Sequence, residues 1–270
     1  MLESRVVKFS LLLATLIASQ CLAEDGRVTA LIQQGDVDDA KHQPRAALVS
    51  LHAAETIEPQ NFGLLLRISK QYADLVEQTK AKATAKDYAA KALDYGLRAV
   101  ATDSKNAKAH LNLAICYGKL TDHVSNKVKM EYAKLIHDEA QRSIDLDATD
   151  DYAWHVMGRW HFGVANLNSV LRAVAGFVYG GGLPPASNDE AARCLKKAAE
   201  LAPQRMMHHA ELAKVYVAQG KADLAAQEWQ NVLGIRALDA QDENYQKEAR
   251  VTLETRRSGR DSGPHGVAGR

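Results

Sequence analysis

Three cysteines in 270 residues are too few for a disulfide scaffold, and six prolines and four phenylalanines leave little material for a β-rich core. A formal net charge of +1 supplies no global field for nucleic acid or an anionic membrane. The chain lacks a Gly-rich phosphate loop, a Gly-x-Ser-x-Gly elbow and a Cys-x-x-Cys pair, so the commonest sequence signs of catalysis are missing. Gly180-Gly181-Gly182 has neither a following lysine nor a preceding strand, and it reads as a helix terminator. What is present is a hydrophobic fraction of 46%, rich in alanine, which favours helices packed through small residues.

The N-terminus reads as an export signal. Arg5 and Lys8 precede an apolar stretch from Phe9 to Ala18, and Cys21-Leu22-Ala23 offers small residues before a cut ahead of Glu24. The stretch is shorter than the roughly 20 residues of a comfortable membrane span. The expectation is a signal peptide over 1–23 and a periplasmic or secreted protein. An uncleaved N-terminal anchor is the alternative. Removal of 1–23 leaves the chain formally neutral with Cys116 and Cys194, which an oxidising compartment permits to pair, although two thiols on separate helices are the simpler reading.

Internal repetition is the main signal. His209, Leu212, Ala213 and Tyr216 share one helical stripe, Gly220 turns the chain, and Ala225, Trp229 and Val232 share the next. Upstream, Trp154, Met157, Gly158 and His161 precede Ala191, Leu195, Ala198 and Pro203. His110, Leu113, Ala114 and Tyr117 precede Ile136, Ala140, Ser143 and Ala148; Leu65, Ile68, Ser69 and Tyr72 precede Ala92, Gly96, Ala99 and Ser104. A degenerate first unit holds Leu31, Gly35, Ala47, Leu51, Ala54 and Pro59. Large residues fill holes between pairs, small ones allow close approach, and the closing proline cannot continue a helix. This is the tetratricopeptide (TPR) pattern, five times in tandem.

The gap between paired stripes is short in the last unit, from Tyr216 to Ala225, and much longer in the three central units. The excesses approximate whole helical turns, which predicts elongated central hairpins. The expected fold is therefore all-α: a right-handed TPR-like superhelix of about five hairpins over 24–255. It ends in a capping helix from Ala240 to Leu253, with a disordered tail over 256–270.

Five segments resemble the regulator of microtubule dynamics family: 81–101, 109–118 (AHLNLAICYG), 127–147, 155–188 with HVMGRWHFGVAN and Pro184-Pro185-Ala186-Ser187, and the last repeat with 239–253. The resemblance implies a non-enzymatic, interaction-based role without cofactors. Microtubules are implied by the resemblance alone, and an exported protein would not meet tubulin.

The ten histidines do not promise a metal site. His155 and His161 project to opposed faces, adjacent His208 and His209 diverge, and His110, His161 and His209 fall on the structural stripe. The groove-lining positions of a TPR array are here Lys108, Leu111 and Asn112, then Tyr152, His155 and Arg159, then Glu211 and Lys214. Arg159 and Lys214 occupy the same position in successive units. Cations beside an amide donor suit a carboxylate, so Lys108, Asn112, Tyr152, His155, Arg159 and Lys214 are the candidate partner-binding residues for a protein or peptide. The alternative site is the insert 164–183, whose Leu167, Val170, Leu171, Val174, Phe177 and Val178 repeat at helical spacing. That insert fills the inner surface or, as a second reading, carries a lipid or lies on a membrane.

Overall fold

The computed structural model describes residues 25–179 and 183–261, without the side chains of 177–179 and 259–261. The expected signal peptide over 1–23, the triple glycine 180–182 and the residues beyond 261 lie outside the described residues. Among the described residues every regular element is helical. The chain divides between His123 and Val124 into two compact units.

The first unit holds α1 (residues 25–40), α2 (Pro44–Glu55), α3 (Phe62–Gln78), α4 (Lys82–Thr102) and α5 (Ala107–Leu120), followed by a short 3-10 turn. Asn61 and Asn106 cap α3 and α5 by accepting from the backbone N–H of Leu64 and Lys108, satisfying donors that helix ends leave open. Val28, Leu48, Leu51, Leu64, Ile68 and Leu75 form its apolar core. Antiparallel α3 and α4 pack along their length, with α5 against both. The approach is close at Gly96, where a Cβ would stand 3.0 Å from Asn112 Oδ1.

The second unit holds α6 (Asn126–Leu146), α7 (Asp151–Ala165), α8 (Ser169–Tyr179), α9 (Asn188–Leu201), α10 (Met206–Ala218), α11 (Ala222–Gly234) and α12 (Ala240–Asp261). Here α7 pairs with α9 and α10 with α11, while α12 covers α10 and α11. Gly158 sits where α7 meets α9: a Cβ there would lie 2.6 Å from Leu195 Cγ and 3.2 Å from the Ala191 carbonyl. Only glycine permits that approach. Gly220 turns α10 into α11 with φ of +70°, a region costly for other residues.

The expected elongation holds for two of the three long repeats. Helices α4 and α6 run for 21 residues each. The third insert is different: α7 and α9 stay at 15 and 14 residues, and the extra chain makes the separate helix α8, packed on α6. Two asparagines explain the break. Asn166 closes α7 by returning its side-chain N–H to the Phe162 carbonyl, and Asn168 opens α8 by accepting from Leu171 N–H. Helix α12 likewise continues past the expected end of order to Asp261, where Arg256 is tied to the Ala222 carbonyl and paired with Asp223.

One device recurs at the first large position of three repeats. His110 Nε2–H donates to the Ser104 carbonyl at 3.0 Å, Trp154 Nε1–H to Ala148 at 2.9 Å, and His209 Nε2–H to Pro203 at 3.0 Å. Each ring reaches six residues back to the carbonyl closing the preceding loop, so histidine and tryptophan are interchangeable as ring N–H donors. At the equivalent position of the second repeat Leu65 has no donor, and Arg98 takes the Pro59 carbonyl instead.

Candidate functional site

Helices α7, α10 and α12 bring Arg159, Glu211, Lys214 and Glu248 into a row of alternating charge. Arg159 Nε lies 3.8 Å from Glu211, Lys214 Nζ lies 3.0 Å from Glu211 and 3.4 Å from Glu248, and Lys214 also stands 5.2 Å over the Tyr245 ring. The Arg159 side chain is 61% exposed and its contact is long, so the guanidinium keeps most of its donors toward solvent. Lys214 is half-buried; burial pulls its pKa down, but Glu211 and Glu248 outweigh that and raise it. Arg159 and Lys214 thus share the carboxylate of Glu211, as their common repeat position predicts, and the acidic residues sit between them.

Beneath this row lies a buried chain of imidazoles. His208 Nε2 is 2.7 Å from Asp151 Oδ2, and His208 Nδ1 is 2.9 Å from His155 Nδ1. Burial, the largest influence, holds His155 well below the ordinary histidine range, with the neighbouring His208, Arg159 and Arg205 adding to it. Burial also lowers His208, against the opposing pull of Asp151. Both rings are therefore neutral near pH 7. The carboxylate can only accept, so His208 Nε2 carries the proton, His208 Nδ1 accepts from His155 Nδ1–H, and His155 Nε2 is left as a buried lone pair without a partner. Arg205 approaches Asp151 at 2.8 Å and lies 4.2 Å over the Tyr152 ring.

His155 is only 2% exposed, so it supports Tyr152 and the α7–α10 contact from below and offers no surface of its own. Tyr152, half-exposed, carries the outer face of that stack. In the first unit Lys108 is exposed. Asn112 is turned inward, with its amide 2.7 Å from Ser69 Oγ and Cys116 3.7 Å away. Ser69 has one hydroxyl hydrogen and lies 2.8 Å from the Ala92 carbonyl, which can only accept. Its hydroxyl is shared between the Ala92 carbonyl and Asn112 Oδ1, both acceptors, and the contact ties α3 to α4 and α5.

The apolar insert forms one wall of an open pocket of about 540 Å³, lined by Val164, Leu167, Arg172, Ala175 and Leu183. Ala175 is buried, Leu171 and Val174 are half-buried, and Val170 is exposed. The side chains of Phe177 and Val178 lie outside the described residues. Among the described residues no helix is long and apolar enough to cross a membrane.

Both described cysteines are free and buried, Cys116 in the first unit and Cys194 in the second, and burial pushes each thiol up to about 11. Cys194 has company that spacing did not foretell. One imidazole nitrogen of His161, a carboxylate oxygen of Glu190 and the Cys194 sulfur all lie within 4.8 Å of one another. His161 comes from the end of α7 and the other two from α9, so only the pairing of these helices across the insert assembles them. His161 Nδ1 is buried without a hydrogen-bond partner, and burial lowers that ring's pKa.

The pattern of these helices is shared with known proteins. The family model described as regulator of microtubule dynamics protein 1-3 matches residues 28–257. The mouse regulator of microtubule dynamics protein 1 is 29% identical over 199 residues, which are 73% of this chain and 65% of that protein. Protein 3 of Xenopus laevis is 25% identical over 78% of this chain and 44% of its own length. The chain thus spans about half to two thirds of these relatives. Among solved structures, a thermophilic TPR protein of Thermus thermophilus superposes with a TM-score of 0.63 at 16% identity, over 84% of this chain and 98% of that one. The pilF protein of Pseudomonas aeruginosa superposes with a TM-score of 0.55 at 14% identity, over 88% and 90%. Those two likenesses establish an all-α, TPR-like fold; the match over 28–257 goes further, and the chain belongs to the regulator of microtubule dynamics protein 1-3 family.

Proposed function

We propose that this chain is a non-enzymatic scaffold whose second unit binds an acidic side chain or a C-terminal carboxylate of a protein partner. The observation that carries this reading is the exposed Arg159 guanidinium next to Lys214, both anchored by the single carboxylate of Glu211. An incoming carboxylate can take the outer Arg159 donors and exchange with the more exposed Glu248 at Lys214, while the Tyr245 ring flanks Lys214 with apolar surface. Charge along the row is balanced, so affinity comes from exchange of paired carboxylates and is strongly salt-dependent. In the first unit, taken by itself, the exposed Lys108 offers a further cation, with Asn112 fixing its helix. Membership in a family named for microtubule dynamics and a TPR-like fold both support a protein as partner.

Export through residues 1–23 belongs to the same proposal. N-terminal sequencing of the protein from its own compartment is expected to begin at Glu24. The binding reading is tested with peptides carrying a free C-terminal carboxylate or its amide, followed by fluorescence anisotropy. Selective binding of the free acid, abolished by Arg159→Glu with Lys214→Glu at unchanged helicity, supports it. Equal binding of acid and amide sinks it.

A second reading rests on the open pocket beside α8. Its mainly apolar lining residues and the single cation Arg172 among them suit an acyl chain with an anionic head. Lipid that copurifies and is lost in Leu171→Glu would favour it over the peptide scaffold.

A further inference from the structure

We propose that His161, Glu190 and Cys194 form a zinc site that clamps α7 to α9. One thiolate, one imidazole and one carboxylate are a zinc-type donor set, borderline-soft and mixed, and three protein ligands leave a fourth position for water. Two independent observations converge. The three ligand atoms lie within 4.8 Å of one another, and the ring of His161, only 8% exposed, carries a buried Nδ1 with no hydrogen-bond partner. Buried polar atoms are nearly always satisfied, so an orphaned imidazole nitrogen in a ligand cluster is a specific feature.

The geometry needs one adjustment. Zinc bonds of about 2.0–2.3 Å place tetrahedral ligand atoms about 3.3–3.8 Å apart, so the three atoms, within 4.8 Å of one another, draw to that spacing as the metal binds. His161 and Cys194 are fixed in the core, whereas the Glu190 side chain is 46% exposed and held by Arg193. Both contacts to Arg193 fall on Glu190 Oε2, at 2.7 and 2.8 Å, so Oε1 is the oxygen that swings to the metal while Arg193 orients the carboxylate from outside. As the sulfur–zinc bond forms, the Cys194 thiol releases its proton to solvent, leaving a thiolate ligand.

The position gives the site a use. Helices α7 and α9 are the pair separated by the α8 insert, and Gly158 already brings them into close approach about one turn to the N-terminal side of His161. A metal joining His161 to Cys194 and Glu190 would fix the end of α7 from which α8 departs. The site belongs to the second unit alone and does not depend on peptide binding.

Cobalt is the probe, because a thiolate–cobalt bond gives a near-ultraviolet charge-transfer band. The full-length, chelator-stripped chain is titrated with Co2+ and then with Zn2+. One equivalent of cobalt is expected to produce the band and zinc to remove it. Cys194→Ser should lose the band, Cys116→Ser should keep it, and Glu190→Gln should weaken affinity at least about tenfold. Absence of the band, or its persistence in Cys194→Ser, overturns the proposal. Should Cys194→Ser fail to fold, Glu190→Gln decides, since unchanged cobalt affinity there also overturns it.

Discussion

In the first unit the polar groups at the helix junctions are a hydroxyl, an amide and a tyrosine cluster; in the second they are histidines. Ser69 and Asn112 fasten α3 to α4 and α5, and Glu55 gathers His52, Tyr95 and Arg98 at the α2–α4 surface. The second unit instead buries His155, His161, His208 and His209. The same repeat pattern therefore rests chiefly on a hydroxyl, an amide and phenols in one unit, and on buried imidazoles in the other. The candidate cation row and the candidate zinc site both belong to the imidazole-rich unit.

The largest expected effect breaks the second unit alone. Gly158→Val places a side chain against Leu195 and the Ala191 carbonyl, a collision that costs about 3 kcal/mol or more, read as a lower urea midpoint. Gly96→Ala is the matching change in the first unit. It presses most closely on the Asn112 side chain, at 3.0 Å, and not on any backbone atom, and a loss of about 1 kcal/mol is expected.

Acid should separate the units next. His155 and His208 have lowered pKa values when folded, so the unfolded chain takes up protons first as pH falls below about 6.5. Each ring then removes at most about 1.4 kcal/mol of stability per pH unit, until its folded pKa is reached. His209 acts with the opposite sign: its hydrogen bond to Glu228 raises its pKa, and its contribution is present in acid and lost as pH rises through the folded value. His161 is lowered by burial as well, and three lowered rings against one raised ring give net acid weakening. Glu55 in the first unit is held below the usual range; burial, its largest influence, opposes this, but His52, Tyr95 and Arg98 outweigh it. Its contribution survives until pH falls through that lowered value. Hydrogen exchange between pH 7 and 5 should accelerate in α7 and α10 before α3 and α4. Replacing His155 with leucine should flatten the difference.

Smaller effects sharpen the shared device. Trp154→Phe and His110→Phe each remove one ring N–H from a loop carbonyl, and each should cost about 1 kcal/mol in thermal or urea unfolding. Arg98→Ala, which removes a partly exposed ion pair, should cost less than about 1 kcal/mol.

How much of this was legible in the sequence depends on the range of the interaction. The stripes were legible because each is a local period, and His110, His161 and His209 are buried where a core aromatic belongs. The groove positions of Arg159 and Lys214 followed from repeat register, and they do meet at Glu211. The imidazole chain was hidden because Asp151, His155 and His208 are joined across more than fifty residues by the packing of α7 on α10. Helix α8 was misread as elongation because its apolar period matched whole turns, while the caps at Asn166 and Asn168 gave the stronger local instruction. Burial of His155 was not foreseen either, since a groove position on a helical wheel carries no information about a tyrosine lying over it.

The most direct test of the central claim is a hydrogen-exchange footprint of a bound free-acid peptide on the full chain. Protection concentrated on α7, α10 and α12 around Arg159 and Lys214, and absent when both are reversed to glutamate, is the predicted result. Protection confined to α8 and residues 183–187, or no difference between free chain and complex in the second unit, would contradict the account.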